Sequence, residues 1–121
     1  MLHDKQIALL GAGRLGEALL RGLLDRDALR SAQLRATVAS AERADYIARR
    51  FSIQATAGSN AAAASGADVV IIAVKPAKVA AVLREIGPFL RPAQVIVSLA
   101  AAVCLRLMEA QLPASTALVR G

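Results

Sequence analysis

The chain is 121 residues long, 56% apolar and only 2% aromatic, with a net charge of +6 and one cysteine, Cys104. This length supports one domain with a single core, and one cysteine excludes an internal disulfide or a zinc cluster and fits a cytoplasmic protein. The arginines are spread without a dense tract and stacking aromatics are nearly absent, so no nucleic acid is expected as partner; no run approaches the roughly 20 apolar residues that span a bilayer, so no membrane is either.

The apolar run Gln6-Ile7-Ala8-Leu9-Leu10 predicts a first strand over Gln6–Leu10, which leads directly into Gly11-Ala12-Gly13-Arg14-Leu15-Gly16. Three glycines in that pattern are a weak signal alone; a strand before them and a helical pattern after them are the context the motif requires. Gly11 allows the tight turn, Gly13 lets the backbone approach a pyrophosphate, and Gly16 lets the helix pack closely on the strand. The N–H groups of the helix's first turn, with the positive end of its dipole, then face the phosphates. Leu15, Ala18, Leu19, Gly22 and Leu23 form the expected apolar face of that helix, with Arg14, Glu17 and Arg21 opposite. Arg14 has two readings, a reach to a phosphate or an extension into solvent.

The second strand, expected over Arg35–Ala39, ends at Ser40. A site preferring NAD would carry Asp or Glu there, against the ribose 2′-hydroxyl. Ser40 is uncharged, and Arg43 stands one turn into the following helix; a hydroxyl beside a guanidinium suits a 2′-phosphate. Ser40 also reads simply as an N-cap and Arg43 as a surface residue, and the two readings are compatible. NADP is therefore favoured over NAD. Ala44, Ile47, Ala48 and Phe51 mark the buried stripe of this helix.

A short strand at Ser52–Ala55 precedes the Ala61–Ala64 helix. Asn60 before that helix hydrogen-bonds the cofactor, or else Ser59 or Asn60 simply caps the helix. Asp68–Val74 is expected as a central parallel strand, since Val69 to Val74 are continuously apolar and so suited to burial on both faces. Lys75 follows, extended by the next residue, Pro76, which opens a helix striped by Val79, Val82, Leu83 and Ile86. Lys75 lines the cofactor crevice or is solvated at the strand exit. Strands at Gln94–Ser98 and Ala117–Arg120 complete the pattern.

Alternating strands and helices predict an α/β fold of Rossmann type, a doubly wound parallel sheet in three α/β/α layers, with residues 1–121 as one NAD(P)-binding domain. In its usual strand order the first and fourth strands are neighbours, so the glycine turn and the Lys75-Pro76 corner face one crevice, with the end of the fifth strand at Ser98–Ala101 beside it. No catalytic Ser/His/Asp set, paired carboxylates or metal-ligand cluster emerges, and His3 has no evident partner.

Several separated segments resemble pyrroline-5-carboxylate reductase. They are Ile7 to Leu23, the stretch Ala67 to Pro76 with its Ala-Val-Lys-Pro ending, Leu90 to Val103, and Leu118-Val119-Arg120. The resemblance implies NADPH-dependent reduction of the C=N bond of 1-pyrroline-5-carboxylate to L-proline by hydride transfer, the protein positioning the two reactants. It places cofactor contacts at Leu10, Gly11, Ala12, Gly13, Arg14, Leu15, Ser40, Arg43, Asn60, Ala73, Val74, Lys75, Pro76, Ala100 and Ala101. Ala102 departs from the family's usual Gly. The family continues beyond the position of Gly121 into a helical dimerisation and substrate domain, so this chain is expected to be the cofactor-binding half, catalytically incomplete alone. Leu105, Met108 and Leu112 on the last helix offer an apolar surface for homo-oligomerisation. The alternatives are a Rossmann domain of the hydroxyisobutyrate dehydrogenase or F420-dependent NADP reductase groups, and a non-catalytic NADP-binding module.

Overall fold

The computed structural model describes residues 5–25, 30–98 and 117–120. Strands and helices alternate as β1 (Ile7–Leu10), α1 (Arg14–Asp25), β2 (Leu34–Val38), α2 (Ala41–Phe51), β3 (Gln54–Ala57), α3 (Asn60–Ser65), β4 (Val69–Ile72), α4 (Pro76–Ile86), β5 (Val95–Ser98) and β6 (Ala117–Arg120). The strands form one sheet in the order β3-β2-β1-β4-β5-β6, every adjacent pair parallel. Leu10 of β1 is level with Ile72 of β4, and Ile72 with Ser98 of β5, so the carboxyl ends of the central strands share one edge.

Successive side chains on a strand point to opposite faces, and in β1 all four are buried. Ala8 and Leu10 join Val70, Ile72 and Ile96 under α3 and α4, through Ala63, Ala64, Val79, Leu83 and Ile86. Ile7 and Leu9 join Leu34, Ala36 and Val38 under α1 and α2, through Leu20, Ala44, Ile47 and Phe51. Two apolar clusters on either side of one sheet make the three-layer arrangement expected from the sequence. The stripes read for α2 and α4 are the faces they bury.

In α1 the buried face is different from the one expected. Gly16 and Leu20 point inward, Leu19, Leu23 and Leu24 pack partly behind them, and Leu15, Ala18 and Gly22 are exposed. A Cβ on Gly16 would lie 3.3 Å from Leu9 Cδ2, so this glycine marks the closest approach of helix to strand. It sets the inward register at 16, 20 and the 23–24 pair. A pattern weighted by large apolar side chains misses a contact defined by having none.

Strand boundaries move as well, by one residue at β1, β2 and β5 and by more at β3 and β4. Ser52 ends α2 in the left-handed conformation, φ 57°, so the chain turns there and β3 starts only at Gln54. β4 ends at Ile72. Ala73 N–H still bonds Leu10 carbonyl at 2.8 Å, after which Val74 and Lys75 lead into α4 with Pro76 at its first position.

Gln94 ties the two ends of this unit together. Its buried amide donates to the carbonyls of Ala64 at 2.7 Å and Ala67 at 2.6 Å, and its Oε1 accepts from Arg91 N–H at 2.5 Å. The polar head is thus satisfied inside the core, fixing the entry of β5 against the α3–β4 connection. Among the described residues no helix is long and apolar enough to cross a membrane. His3, Ala100, Ala101, Cys104, Leu105, Met108 and Leu112 lie outside the described residues.

Candidate functional site

The strands β1 and β4 are neighbours, yet their following helices leave to opposite faces of the sheet, α1 onto one core and α4 onto the other. That divergence opens a crevice at their carboxyl ends. The glycine turn forms its floor. Gly11 has φ +83°, and a Cβ there would sit 3.0 Å from Val74 Cα and from Val74 N, so both the backbone conformation and the segment just after β4 require glycine. At Gly13 a Cβ would meet nothing within 4 Å. The fold has no packing need for glycine at that position; it leaves bare backbone on the crevice.

The turn satisfies its own first donors. Gly11 N–H bonds the Thr37 carbonyl at 3.0 Å and the Thr37 hydroxyl at 3.1 Å; Ala12 N–H bonds the same carbonyl at 2.8 Å; Gly13 N–H bonds Gly11 carbonyl at 2.8 Å. The next three residues, Arg14, Leu15 and Gly16, open α1, whose N–H groups there have no carbonyl one turn back within the helix. The open donors therefore begin later along the motif than its first glycine.

The cleft above this floor has a volume of about 430 Å³, within the range of small-molecule sites. Its walls are Gly11, Ala12, Gly13, Ala39, Ser40, Arg43, Ala73, Val74, Lys75 and Lys78. Most of the residues read from the sequence thus come together. Leu10 lies buried beneath, while Arg14, Leu15 and Pro76 are exposed at the starts of α1 and α4. Lys78 was not foreseen, although it stands one helical turn after Lys75 on a helix expected to begin at the crevice. The lining carries Arg43, Lys75 and Lys78 and no carboxylate, which makes it a setting for an anion. A second depression, along Glu42, Asp45, Tyr46, Arg49 and Arg50, follows the outer surface of α2 and offers no comparable backbone donors.

Ser40 is the N-cap of α2, its hydroxyl accepting from Arg43 N–H at 3.1 Å. The Arg43 side chain crosses from α2 to the glycine turn. Its Nε donates to Ala12 carbonyl at 3.1 Å, and Nη2 donates to Gly13 carbonyl at 3.2 Å and to Glu17 Oε1 at 2.9 Å. Its Cζ lies 5.0 Å from the Tyr46 ring centroid. Tyr46 and Arg21 donate to the other Glu17 oxygen, each at 3.1 Å. Burial works against the Glu17 charge, but hydrogen bonds from Arg43 and Tyr46 and the charges of Arg43 and Arg21 outweigh it. Its carboxyl is held below the ordinary range.

Asn60 is not on the cleft wall. Its Oδ1 accepts from the Thr37 hydroxyl at 2.5 Å and its Nδ2 donates to Glu85 Oε1 at 3.1 Å, bridging β2 and α4. Ser59 precedes α3 with φ 62° and makes no side-chain cap. Thr37, 2% exposed, is the hub of this chain of bonds, linking the Gly11 turn to Asn60. Nothing in a mid-strand threonine signals that task. Among the described residues no group of three His, Cys, Asp or Glu side chains could hold a metal ion.

Residues 6–102 match the family described as NADP oxidoreductase, coenzyme F420-dependent. The chain belongs to this family. It is an NADP oxidoreductase domain, and curated relatives aligning along nearly all of it carry a narrower name. Pyrroline-5-carboxylate reductase of Pseudomonas aeruginosa is 39% identical over 98% of this chain and 43% of its own length. The enzyme of the same name from Mycobacterium tuberculosis is 36% identical over 95% of this chain and 40% of its own. The structure of a pyrroline-5-carboxylate reductase from Coxiella burnetii superposes with a TM-score of 0.88 at 26% identity, covering 98% of this chain and 43% of that one. A pyrroline carboxylate reductase from Plasmodium falciparum, crystallised with NADP bound, shares the fold with a TM-score of 0.82 at 20% identity, covering 98% and 42%. The resemblance read in the sequence is borne out, and this family domain spans about 40% of the length of such relatives.

Proposed function

We propose that this domain binds NADP(H) in the β1–β4 cleft and serves a pyrroline-5-carboxylate reductase, preferring NADPH to NADH. The observation that carries the reading is the bare backbone at Gly13 under a cleft walled by Arg43, Lys75 and Lys78. A diphosphate requires that combination of close approach, helix N–H groups and positive charge. In this assignment the N–H groups at Arg14 and Leu15 hold the diphosphate, Gly11, Ala12 and Gly13 give it a close approach, and Leu10 backs the turn. Ser40 and Arg43 receive the 2′-phosphate. Ala73, Val74, Lys75, Pro76, Ala100 and Ala101 border the nicotinamide half, and Asn60 supports the cofactor through Thr37. When bound, the reduced nicotinamide supplies the hydride.

We assign neither proton donation nor the hold on a substrate carboxylate to these groups. Both tasks fall, in this proposal, to the part of the reductases to which the chain does not align, as does homodimer formation. A full-length reductase of this kind reduces the imine carbon of 1-pyrroline-5-carboxylate to give L-proline in the cytoplasm. The chain alone binds cofactor without turning it over.

Calorimetric titration with NADPH and NADH tests the first part, with tighter NADPH binding expected. No heat or fluorescence change with either nucleotide removes it. Proline formation from pyrroline-5-carboxylate and NADPH by a longer protein carrying this domain tests the second; absence of product with retained NADPH binding leaves a cofactor-binding module of another reductase.

A further inference from the structure

The Arg43 guanidinium has a polarised set of partners. Nε and Nη2 are spent on Ala12, Gly13 and Glu17, whereas Nη1 donates to nothing among the described residues. Arg43 is also the one of these partners besides the glycine turn that lines the cleft; Glu17 does not. Arg43 thus joins the cleft to a carboxylate that does not line it, and Nη1 is the one guanidinium nitrogen with no acceptor among the described residues.

We propose that Glu17 is a specificity-determining positioning residue for a phosphorylated cofactor: its carboxylate pins Arg43 against the glycine turn and presents the Nη1 edge to the adenosine 2′-phosphate. This rests on the assignment of Arg43 to that phosphate. Arginine is long and rotamer-rich, and ordering it at the moment of binding costs affinity. Glu17 removes that cost beforehand. Its side chain is 16% exposed and takes hydrogen bonds from Arg43 and Tyr46 on α2 and from Arg21 on α1, so it is itself fixed from two helices. The same ion pair, held near Gly13 carbonyl, couples the phosphate-binding arginine to the turn that holds the diphosphate.

The test uses the 121-residue chain and its variants Glu17→Ala, Glu17→Leu, Glu17→Gln and Arg43→Ala, titrated with NADPH and NADH, with melting curves for each. Glu17→Ala is expected to raise Kd for NADPH about fivefold, the scale of ordering one such side chain, with Kd for NADH changed by less than about twofold. Glu17→Gln, which keeps one oxygen for Arg43, is expected to restore part of the lost NADPH preference. Equal losses for both nucleotides, or tighter NADPH binding by Glu17→Ala, overturn the proposal. Should Glu17→Ala fail to melt cooperatively, Glu17→Leu, which keeps the bulk and offers Arg43 no acceptor, decides: an unchanged ratio of the two affinities sinks the idea. Arg43→Ala separates the two levels. A selective NADPH loss there without one at Glu17 leaves the phosphate assignment standing and removes only the role of Glu17. No selectivity at Arg43 removes both.

Discussion

Gly11 and Val74 meet where β1 and β4 leave the sheet, so closely that a Cβ on Gly11 would lie 3.0 Å from the Val74 Cα. Gly13, two residues on, faces open space. The same motif therefore contains one glycine demanded by the fold and one the fold does not require, which the proposal gives to the cofactor. Gly11→Ala is expected to lose about 3 kcal/mol or more of stability, combining left-handed strain with displacement of the Val74 segment after β4. Gly13→Ala should keep its urea midpoint, within about 0.5 kcal/mol, yet weaken NADPH at least about tenfold. Equal stability losses at the two positions would contradict this division.

Arg43→Ala should raise Kd for NADPH by about tenfold or more, the loss of a charge-assisted contact, and leave NADH nearly unchanged. Because Arg43 also bonds Ala12 and Gly13 carbonyls, a small common loss is expected on top. Calorimetry on both nucleotides resolves the two components.

Thr37→Val preserves shape but removes the hydroxyl that accepts from Gly11 N–H and donates to Asn60. Gly11 keeps the Thr37 carbonyl, so the cost comes mainly from Asn60 Oδ1 losing its donor. A destabilisation of about 1–2 kcal/mol in urea denaturation is expected. A neutral substitution would show that the bridge between β2 and α3 is idle.

In the proposed site the part given to Lys75 and Lys78 is charge rather than shape. Lys78→Ala should weaken NADPH and NADH alike, by about threefold at low ionic strength, with the difference fading near about 0.5 M salt as screening shortens its range. Titrations at two salt concentrations check it; a salt-independent loss would point to a direct, buried contact instead.

The lowered Glu17 pKa links stability to acid. A carboxyl whose folded value lies below its unfolded value contributes stability that is fully present above the unfolded value, and loses it as pH falls through the folded one. That contribution is therefore complete above about pH 4.5 and disappears below it. Glu17→Gln should flatten this part of the acid-unfolding curve while leaving the neutral-pH slope unchanged. Parallel curves for variant and parent would remove the assignment.

Much of the site was legible because it is built from backbone. Gly11 to Gly16, Ser40 before α2 and Lys75-Pro76 before α4 each mark a strand exit by local chemistry, and the parallel sheet brings those exits to one edge. What could not be read is contact between side chains far apart in sequence. Thr37 looks like any strand threonine, and Glu17 like the polar side of an amphipathic helix. Their partners, Asn60 and Arg43, are chosen only when β2, α2 and α3 are packed.

The periodicity of apolar residues and the placement of glycines by themselves determined the alternating architecture and the location of the cleft, since both express short-range sterics. Tertiary structure alone decided which face of α1 is buried, because Gly16 acts by closeness to Leu9 and has no side chain to register in a pattern. It alone also turned Arg43 toward the glycine loop, because an ion pair and two carbonyl acceptors exist only once two helices lie side by side.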